Sequence, residues 1–329
     1  MIEFVKKCYP KPKDMNEKFY ESISKARACD IVRYILPAAT LTNLAMTANA
    51  RILEHGIRKL LSHPLDEMRD IGSMLKGEVL KIIPTLVKYS DYNSYISETN
   101  LAMEELTPGI LKLDGIENSS PVTLVDYDPE AENKLVTAIL YRYSKNPFNQ
   151  IRKLVKKMDK KSKEKIVDEF LNRIGKHDWP LRELEHINYT FDIMVDYGAF
   201  RDIQRHRICT QTNQELTVEH GYDIPQEIID LGFKKKFEDC MDMAIEAFNE
   251  ISKEFPKEAQ YVVPLAFKKR TLFTWNLREL HHFIKLRSSK EGHISYRRIA
   301  QQVFDELKKV HPLLARYIRV DKSVGPPRG

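Results

Sequence analysis

Apolar positions recur at intervals of three and four residues along most of this chain, which is the spacing of amphipathic helices. The pattern predicts helices over 15–30, 40–61, 65–88, 130–144, 162–173, 198–210, 232–253, 270–287 and 295–310. Strand-like stretches are fewer: 122–127 (VTLVDY) is short and β-branched, and 186–195 (HINYTFDIMV) partly alternates. The pattern therefore predicts an α+β protein that is rich in helix and has a small sheet.

The helical periodicity fades between about 91 and 119, where the chain carries Pro108, Gly109 and Gly115. A length of 329 residues also corresponds to about two domains. We therefore predict a helical N-terminal unit over 1–92, a linker over 93–119 and a second domain over 120–329.

An internal repeat links the two sides of this boundary. The segment that starts at Tyr34 (YILPAATLTNLAMTANARILEHGI) aligns without gaps with the segment that starts at Tyr261 (YVVPLAFKKRTLFTWNLRELHHFI). Both copies contain the motif N-x-R-x-x-x-H, and after a shift of one residue the match continues to Tyr89 and Tyr317. The first copy has no counterpart of 120–255, so it is half of a unit.

Composition excludes several classes of protein. The 53 basic and 47 acidic side chains leave a net charge of +6 without a long run of like charges, which disfavours a nucleic-acid tail. The four cysteines lie far apart without CxxC or zinc spacing, which predicts no metal site and reduced thiols. Because no stretch is long and apolar enough to span a membrane or direct export, we predict a soluble cytoplasmic protein that binds no membrane.

Known cofactor and nucleophile motifs are also absent from the sequence. It has neither GxGxxG nor a P-loop, so a Rossmann or P-loop fold is disfavoured, and it has neither GxSxG nor HExxH. A cluster of cations remains at Arg201, Arg205, His206 and Arg207, within one predicted helix. Such a cluster suits phosphate or a flavin, but it is equally typical of a solvated basic face.

Two further candidate functional residues, Arg287 and His186, also have interpretations that are purely structural. Arg287 lies near a predicted helix end, where a cation interacts favourably with the helix dipole by about 0.3–1 kcal/mol. His186 follows Glu185 on an apparent strand, and a lone strand histidine is more often structural than functional.

Four pieces of the sequence, LEHINYTFDI, FRDIQRHR, NQELT and NLRELHHFIKLR, occur in an order that resembles the flavin-dependent thymidylate synthases. The resemblance covers about 120–317, and the N-terminal copy resembles only the C-terminal helices of that family. It implies a helix-rich fold with a small antiparallel sheet. It also implies FAD at the subunit interfaces of a homo-oligomer, NADPH as reductant, methylenetetrahydrofolate as carbon donor and dUMP as acceptor.

The resemblance also assigns roles to residues of this chain. Arg287 would bind the uracil edge and favour ionisation of its N3, which makes it the catalytic candidate. The cofactor-binding set implied by the resemblance is Arg205, His206, Arg207, Asn276, Arg278, His282 and His186. The implied substrate-binding set is Glu215, Thr217, Arg33 and Gln260.

This chain departs from the family at several positions. The loop between Arg207 and Leu216 is two residues longer than usual. Two arginines that would meet the nucleotide phosphate are Glu219 and Gln260 here, and a carboxylate would repel that phosphate. The first copy nevertheless keeps Arg33 at the place that matches Gln260.

These complementary changes suggest a hypothesis for the half-unit: it replaces one partner subunit, so that two chains approximate a tetramer. It would then present Arg33, Asn49, Arg51 and His55 to the unit that carries RHR. An equally weighted alternative is that the half-unit only covers an apolar face. We rank three functions for the whole chain. An active synthase is the first, a non-catalytic or altered-specificity homologue that binds flavin or a nucleotide is the second, and a basic RNA-binding module is the last.

Overall fold

The computed structural model describes residues 1–112, 115, 117 and 120–324. The helices are α1 (Ile2–Cys8), α2 (Glu17–Val32), α3 (Ala50–Leu61), α4 (Asp66–Leu80), α5 (Ser94–Ile110), α6 (Ala131–Arg142), α7 (Phe148–Lys157), α8 (Lys160–Leu171), α9 (Tyr197–Ile203), α10 (Gln226–Asp230), α11 (Lys234–Ile251), α12 (Leu277–Arg287), α13 (Ile294–Val310) and α14 (Pro312–Ala315). The strands are β1 (Val122–Tyr127), β2 (Asn188–Asp196), β3 (Cys209–Asn213) and β4 (Lys268–Asn276), and 3₁₀ turns cover Arg33–Ile35, Arg182–His186 and Glu258–Val262. None of the described helices is long and apolar enough to cross a membrane.

The strands form one antiparallel sheet in the order β1-β2-β4-β3, which confirms the predicted helix-rich α+β fold with a small antiparallel sheet. The central pair, β2 and β4, is matched along its whole length, from Asn188 opposite Asn276 to Asp196 opposite Lys268. β2 and β4 carry large side chains on their buried face because residues two apart in a strand point the same way. Phe273 and Trp275 of β4 are fully buried there.

Helices α6, α12 and α13 bury their apolar sides in the same core as the sheet. Leu135 of α6, Leu280 of α12 and Val303 of α13 are each fully buried in this cluster. α13 contacts β1 and β2, and α12 follows β4 directly. The sheet and these helices together fix where α12 begins, which positions the candidate site.

The chain divides into two compact units, neither of which is one continuous stretch of sequence. The first unit contains residues 1–38, 119–248 and 262–329, and the second contains 39–118 and 249–261. In the second unit α3 packs closely on α4, since a Cβ atom on Gly72 would lie 2.9 Å from the Cβ of Leu60. The segment predicted as a linker contains α5, and its residues 113, 114, 116, 118 and 119 lie outside the described residues.

The repeat has a structural counterpart at Pro37 and Pro264, which pair with each other in an antiparallel bridge. The flanking hydrogen bonds are reciprocal: the Ala38 N–H donates to the Val263 carbonyl at 2.9 Å, and the Leu265 N–H donates to the Leu36 carbonyl at 2.9 Å. Residues 36–38 match 263–265 under the same offset, so each bond is the copy of the other.

Two kinds of side-chain hydrogen bond also occur at matching positions of the two copies. Each of these bonds lies within one compact unit. The Tyr34 hydroxyl hydrogen-bonds the Ser295 hydroxyl at 2.8 Å, and the matching Tyr261 hydroxyl donates to the Glu67 carboxylate at 2.6 Å. An asparagine caps the following helix in both copies. Asn49 accepts from the Ile52 N–H at 3.0 Å, as Asn276 accepts from the Glu279 N–H at 2.8 Å.

Four predicted helices are wrong over part of their length, and the one predicted over 65–88 ends at Leu80. Residues 268–276 form β4, so the predicted helix over 270–287 begins only at Leu277. Helix α9 ends at Ile203, which leaves Arg205, His206 and Arg207 in the loop before β3 and not in a helix. In the first copy only 50–61 is helical, and 41–49 has no regular structure. β-branched and aromatic residues alternate in both missed strands, and their long-range pairing overrides the weak helical spacing.

Candidate functional site

The first turn of α12 is built at the junction where β4 ends. Asn276 is the last residue of β4 and the N-cap of α12. Arg278 donates from Nε to the Pro180 carbonyl at 2.7 Å and from Nη1 to Glu185 Oε1 at 2.9 Å. Its guanidinium also lies 5.6 Å from the ring centre of Trp179. Arg278 therefore ties α12 to the segment that leads into β2.

A buried chain of three side chains joins α12 to the RHR loop. His206 Nδ1 lies 3.0 Å from Glu279 Oε1, and Arg287 Nε donates to His206 Nε2 at 2.9 Å. Because a guanidinium can only donate, the accepting Nε2 carries no proton and Nδ1–H donates to Glu279. His206 and Glu279 are only about 4% exposed, so the tautomer of this imidazole is fixed away from solvent.

His282 lies beside this chain, one turn further along α12. Its ring stacks on Trp179 with centroids 4.4 Å apart and lies 5.3 Å from the ring of His206. Burial lowers the pKa of His282, the nearby Glu279 raises it, and the neighbouring His206 and Arg287 lower it further. His282 is therefore a neutral imidazole at pH 7 that presents one face to an aromatic ring.

His206, Glu279 and His282 also bring their ligand atoms within 4.8 Å of one another, close enough for a metal ion. Both nitrogens of His206 are already engaged, one with Glu279 and one with Arg287. A metal ion bound there would have to displace one of these partners. The geometry therefore favours a role in holding Arg287 in place and disfavours a metal centre.

The Arg287 guanidinium is largely buried and lies between an aromatic ring and a carboxylate. It stands 5.3 Å from the ring centre of Tyr296, and its Nη1 is 3.9 Å from Asp202 Oδ1. Asp202 also lies 3.5 Å from Arg205, whose side chain is mostly exposed. Arg287 is thus held on two sides, while Arg205 and the exposed Arg207 can reach a ligand.

Arg33 lies in the same compact unit as this site and approaches it from the N-terminal copy. Its Nη1 is 3.2 Å from Asp30 Oδ1. Burial raises the pKa of Asp30, Arg33 lowers it, and Asp202 raises it. The pKa of His293, which burial lowers to about 4, is also affected by Arg33 and Asp202. Arg33, Asp30 and Asp202 therefore form one group of interacting charges.

The other predicted residues lie outside the buried chain. His186 is exposed at the end of a 3₁₀ turn and not within a strand, although its neighbour Glu185 binds Arg278. Glu215 is exposed, and Thr217 accepts from the Glu219 N–H at 3.3 Å. Gln260 belongs to the second unit, where it donates to the Lys257 carbonyl at 2.7 Å.

The remaining residues of the half-unit hypothesis also belong to the second unit. Arg51 pairs with Glu54 at 2.7 Å, His55 is exposed, and Asn49 is the helix cap described above. Of the four residues in that hypothesis, Arg33 alone shares a compact unit with the RHR loop.

Sequence reasoning missed Glu279, Trp179 and Asp202. Glu279 stands three residues after Asn276, which is the spacing of a capping box and gives it a purely local interpretation. Trp179 lies in an irregular segment, and only its aromatic character could have marked it as a stacking surface. Asp202 falls within the predicted helix beside the arginines, where an acidic side chain is unremarkable.

A cavity of about 400 Å³ adjoins this site and is lined by Trp179, His281, His282, Lys285 and Arg319 among others. His281 Nε2 is buried there without a hydrogen-bond partner among the described residues. Burial lowers the pKa of His281 to about 4, so its ring is neutral at pH 7. The cavity thus offers stacking rings, an unpaired imidazole nitrogen and cationic walls, a set that suits an aromatic ligand bearing negative charge.

The amino-acid sequence of this chain matches that of a known protein family. The sequence model described as thymidylate synthase complementing protein matches residues 5–85 and 123–313. The chain belongs to this family.

UPF0159 proteins match this chain along most of its length. The one from Chlamydia pneumoniae is 34% identical over 97% of this chain, and the one from Thermoplasma acidophilum is 32% identical over 95%. The chain spans 62% and 63% of the length of these two relatives.

Proteins named for an activity match a smaller part of the chain. The flavin-dependent thymidylate synthase of Clostridium tetani is 28% identical over 60% of this chain and 85% of its own length. A crystal structure of the flavin-dependent thymidylate synthase ThyX from Helicobacter pylori, complexed with FAD and dUMP, covers 61% of this chain and all of its own. Its TM-score is 0.46 and its identity 19%.

Proposed function

We propose that this chain methylates dUMP to dTMP with FAD, methylenetetrahydrofolate as carbon donor and NADPH as reductant. The observation that carries the proposal is the buried Glu279–His206–Arg287 chain, which holds one guanidinium in place beside the exposed Arg205 and Arg207. Membership of the thymidylate synthase complementing protein family supports it.

In this proposal Arg287 binds the uracil edge of the nucleotide. A fixed guanidinium lowers the free energy of an adjacent anion, so it would favour ionisation of N3. His206 supports this role because its accepting Nε2 fixes the direction of the Arg287 Nε–H. Bound FAD would supply the hydride chemistry of the reaction.

The donor set of this site fits a flavin nucleotide. Arg205 and Arg207 present exposed forked donors of the kind that binds a pyrophosphate. His282 and Trp179 offer aromatic faces, and the neighbouring cavity contains the unpaired His281 Nε2. We assign the flavin to Arg205, His206, Arg207, Asn276, Arg278 and His282, with His186 beside the flavin or folate.

The nucleotide phosphate lacks two of its family arginines here, because Glu219 and Gln260 replace them. We assign this role to Arg33, which is the first copy's counterpart of Gln260 and stands in the charge group with Asp30 and Asp202. Glu215 and Thr217 complete the proposed nucleotide site. The chain would act as a homo-oligomer in which two chains approximate a tetramer.

A second function is favoured by the acidic groups around Arg33. Asp30 pairs with that arginine and also interacts electrostatically with Asp202, and Glu219 stands where the family carries a cation. Carboxylates repel a phosphate dianion. The alternative is therefore a non-catalytic or altered-specificity homologue that binds flavin or a nucleotide without methylating dUMP.

The absorption spectrum of the purified protein separates these functions. The protein is measured as purified, again after FAD addition and gel filtration, and then during titration with dUMP. Retained flavin bands that change with dUMP support the synthase and lead to a turnover assay with methylenetetrahydrofolate and NADPH. Flavin bands without a dUMP response favour the altered homologue, and the absence of bound flavin contradicts both.

A further inference from the structure

The segment 41–48 of the first copy matches a strand in the middle of the sheet, yet it pairs with no strand in the described parts of the chain. Its counterpart β4 lies between β2 and β3. Under the repeat, Leu44, Met46 and Ala48 match Thr271, Phe273 and Trp275, which are the buried side of β4. The first copy therefore retains the alternating pattern of a central strand without its neighbours.

Exposure of the apolar side chains shows the consequence of the missing strands. Leu44 is 85% exposed and Met46 is 60% exposed, whereas Phe273 is fully buried. Leucine and methionine at such positions ordinarily lie in a core, because removing their apolar surface from water is favourable. The segment thus carries apolar surface for which the described chain provides no cover.

Helix α4 gives a second observation of the same kind. It matches α13, which packs on β1 and β2. Ile299 of α13 is 4% exposed, whereas the matching Ile71 of α4 is 40% exposed, and Met74 on the same helix is 72% exposed. The surface that strands cover in the second copy is therefore open in the first copy, on a different element from 41–48.

We propose that residues 41–48 are a docking strand for a polypeptide segment with the fold of 122–213, which supplies counterparts of β2 and β3. The second copy shows what covers each of these surfaces, because β2 and β3 flank β4 and β1 and β2 cover α13. Backbone hydrogen bonds to 41–48 would provide affinity, and pockets for Leu44 and Met46 would provide specificity.

The UPF0159 relatives are long enough to contain such a segment. More than a third of the length of the Chlamydia pneumoniae and Thermoplasma acidophilum proteins lies outside their match to this chain. An exposed extended segment is also a template for unwanted pairing, which proteins ordinarily prevent with charges, prolines or a cover. Residues 41–48 (LTNLAMTA) contain neither charge nor proline, so a specific partner is the consistent explanation.

The test uses the full chain and the β2 sequence as a probe. A capped synthetic peptide of residues 188–196 (NYTFDIMVD) is titrated against the protein, and hydrogen exchange is followed by mass spectrometry. This peptide is the strand that pairs with β4 over nine positions in this chain. We expect saturable protection of the amides of 41–48, with exchange at least about tenfold slower, and no change in α12.

Two variants with the same charge change provide the control. Met46→Asp places a carboxylate on the apolar side of the segment and abolishes the protection. Ala45→Asp places it on the opposite side, which in β4 is held by the partly exposed Leu272, and retains the protection. Both positions are exposed in the free chain, so neither change affects folding.

Three results would overturn the proposal. The first is unchanged exchange at 41–48 up to the solubility limit of the peptide, and the second is equal protection in both variants. The third is protection that increases with the concentration of the chain alone, because it would assign the segment to a second copy of this protein.

Discussion

Replacement of Glu279 tests whether His206 holds Arg287 in place. The Glu279 carboxylate is buried 3.0 Å from His206 Nδ1, and Arg287 Nε lies 2.9 Å from the opposite ring nitrogen. Glu279→Gln keeps the size of the side chain and an accepting oxygen but removes the charge. A hydrogen bond to a charged group contributes about 1.5–3 kcal/mol and a neutral one about 0.5–1.5 kcal/mol. We therefore expect the free energy of unfolding to fall by about 1 kcal/mol.

Glu279→Ala has a larger effect because it leaves the His206 Nδ1–H buried without an acceptor. Such a donor costs about 1–3 kcal/mol. Without the carboxylate the imidazole is also free to carry its proton on Nε2, where it would face the Arg287 Nε–H donor. Arg287 then loses its fixed direction, and under the proposed function dUMP affinity falls about tenfold, which corresponds to about 1.4 kcal/mol.

Glu185→Gln is the matched control, since it makes the same chemical change in a carboxylate that binds Arg278 and not His206. Its ion pair is partly exposed, so we expect a loss of at most about 1 kcal/mol and unchanged dUMP affinity. Urea unfolding, dUMP titration and the ¹⁵N NMR shifts of His206 are measured for each variant. A wild-type spectrum with the proton on Nε2 would refute the reasoning, as would a Glu279→Ala variant that behaves like the control.

Three further predictions concern charge and burial. The folded pKa of His281 is about 4, below the usual value near 6.5, so its contribution to stability is complete above about pH 6.5 and is lost as pH falls toward 4. His281→Leu should flatten the acid limb of urea midpoints measured from pH 7 to 4. Asp196 caps α9 by accepting from the Ala199 N–H at 2.8 Å. Its contribution to stability has the opposite pH dependence, because burial raises its pKa to about 6. Its contribution is present below about pH 4 and is lost as pH rises through 6, so Asp196→Asn should gain more stability at pH 8 than at pH 5 in the same assay. Arg33→Ala should weaken dUMP binding or reduce flavin content, with partial rescue by Arg33→Lys in the same titrations; unchanged values for both would remove Arg33 from the site.

The parts of the fold that were predictable from sequence are those in which local pattern and tertiary packing agree. β1 was predicted at its observed bounds because its apolar β-branched run is also what the sheet buries. Helices α6, α11 and α13 begin and end within a few residues of their predicted limits, since their apolar stripes face the core. In these elements the periodicity of the sequence and the burial of the side chains carry the same information.

Residues 41–49 and 268–276 show the opposite case. The helices predicted over 40–61 and 270–287 include 41–49 and most of 268–276, yet β4 is a strand and its copy has no regular structure. The copies align without gaps, so position within the repeat does not distinguish the two segments. β4 is fixed by β2 and β3, whereas none of the described strands pairs with 41–49. A strand in the centre of a sheet is therefore a property of its neighbours as much as of its own residues.

The candidate site depends on the junction at Asn276, where β4 ends and α12 begins. Asn276 and Glu279 have the spacing of a capping box, in which the glutamate reaches back to the backbone of the cap. The structure forms only half of that box: Asn276 accepts from the Glu279 N–H, while the Glu279 carboxylate accepts from His206. His206 is buried, and its Nδ1–H would lose about 1–3 kcal/mol without an acceptor, so the long-range bond is preferred to the local one. The unbroken helix predicted over 270–287 does not predict the Glu279–His206 hydrogen bond. Glu279 reaches His206 only if β4 ends and α12 begins at Asn276.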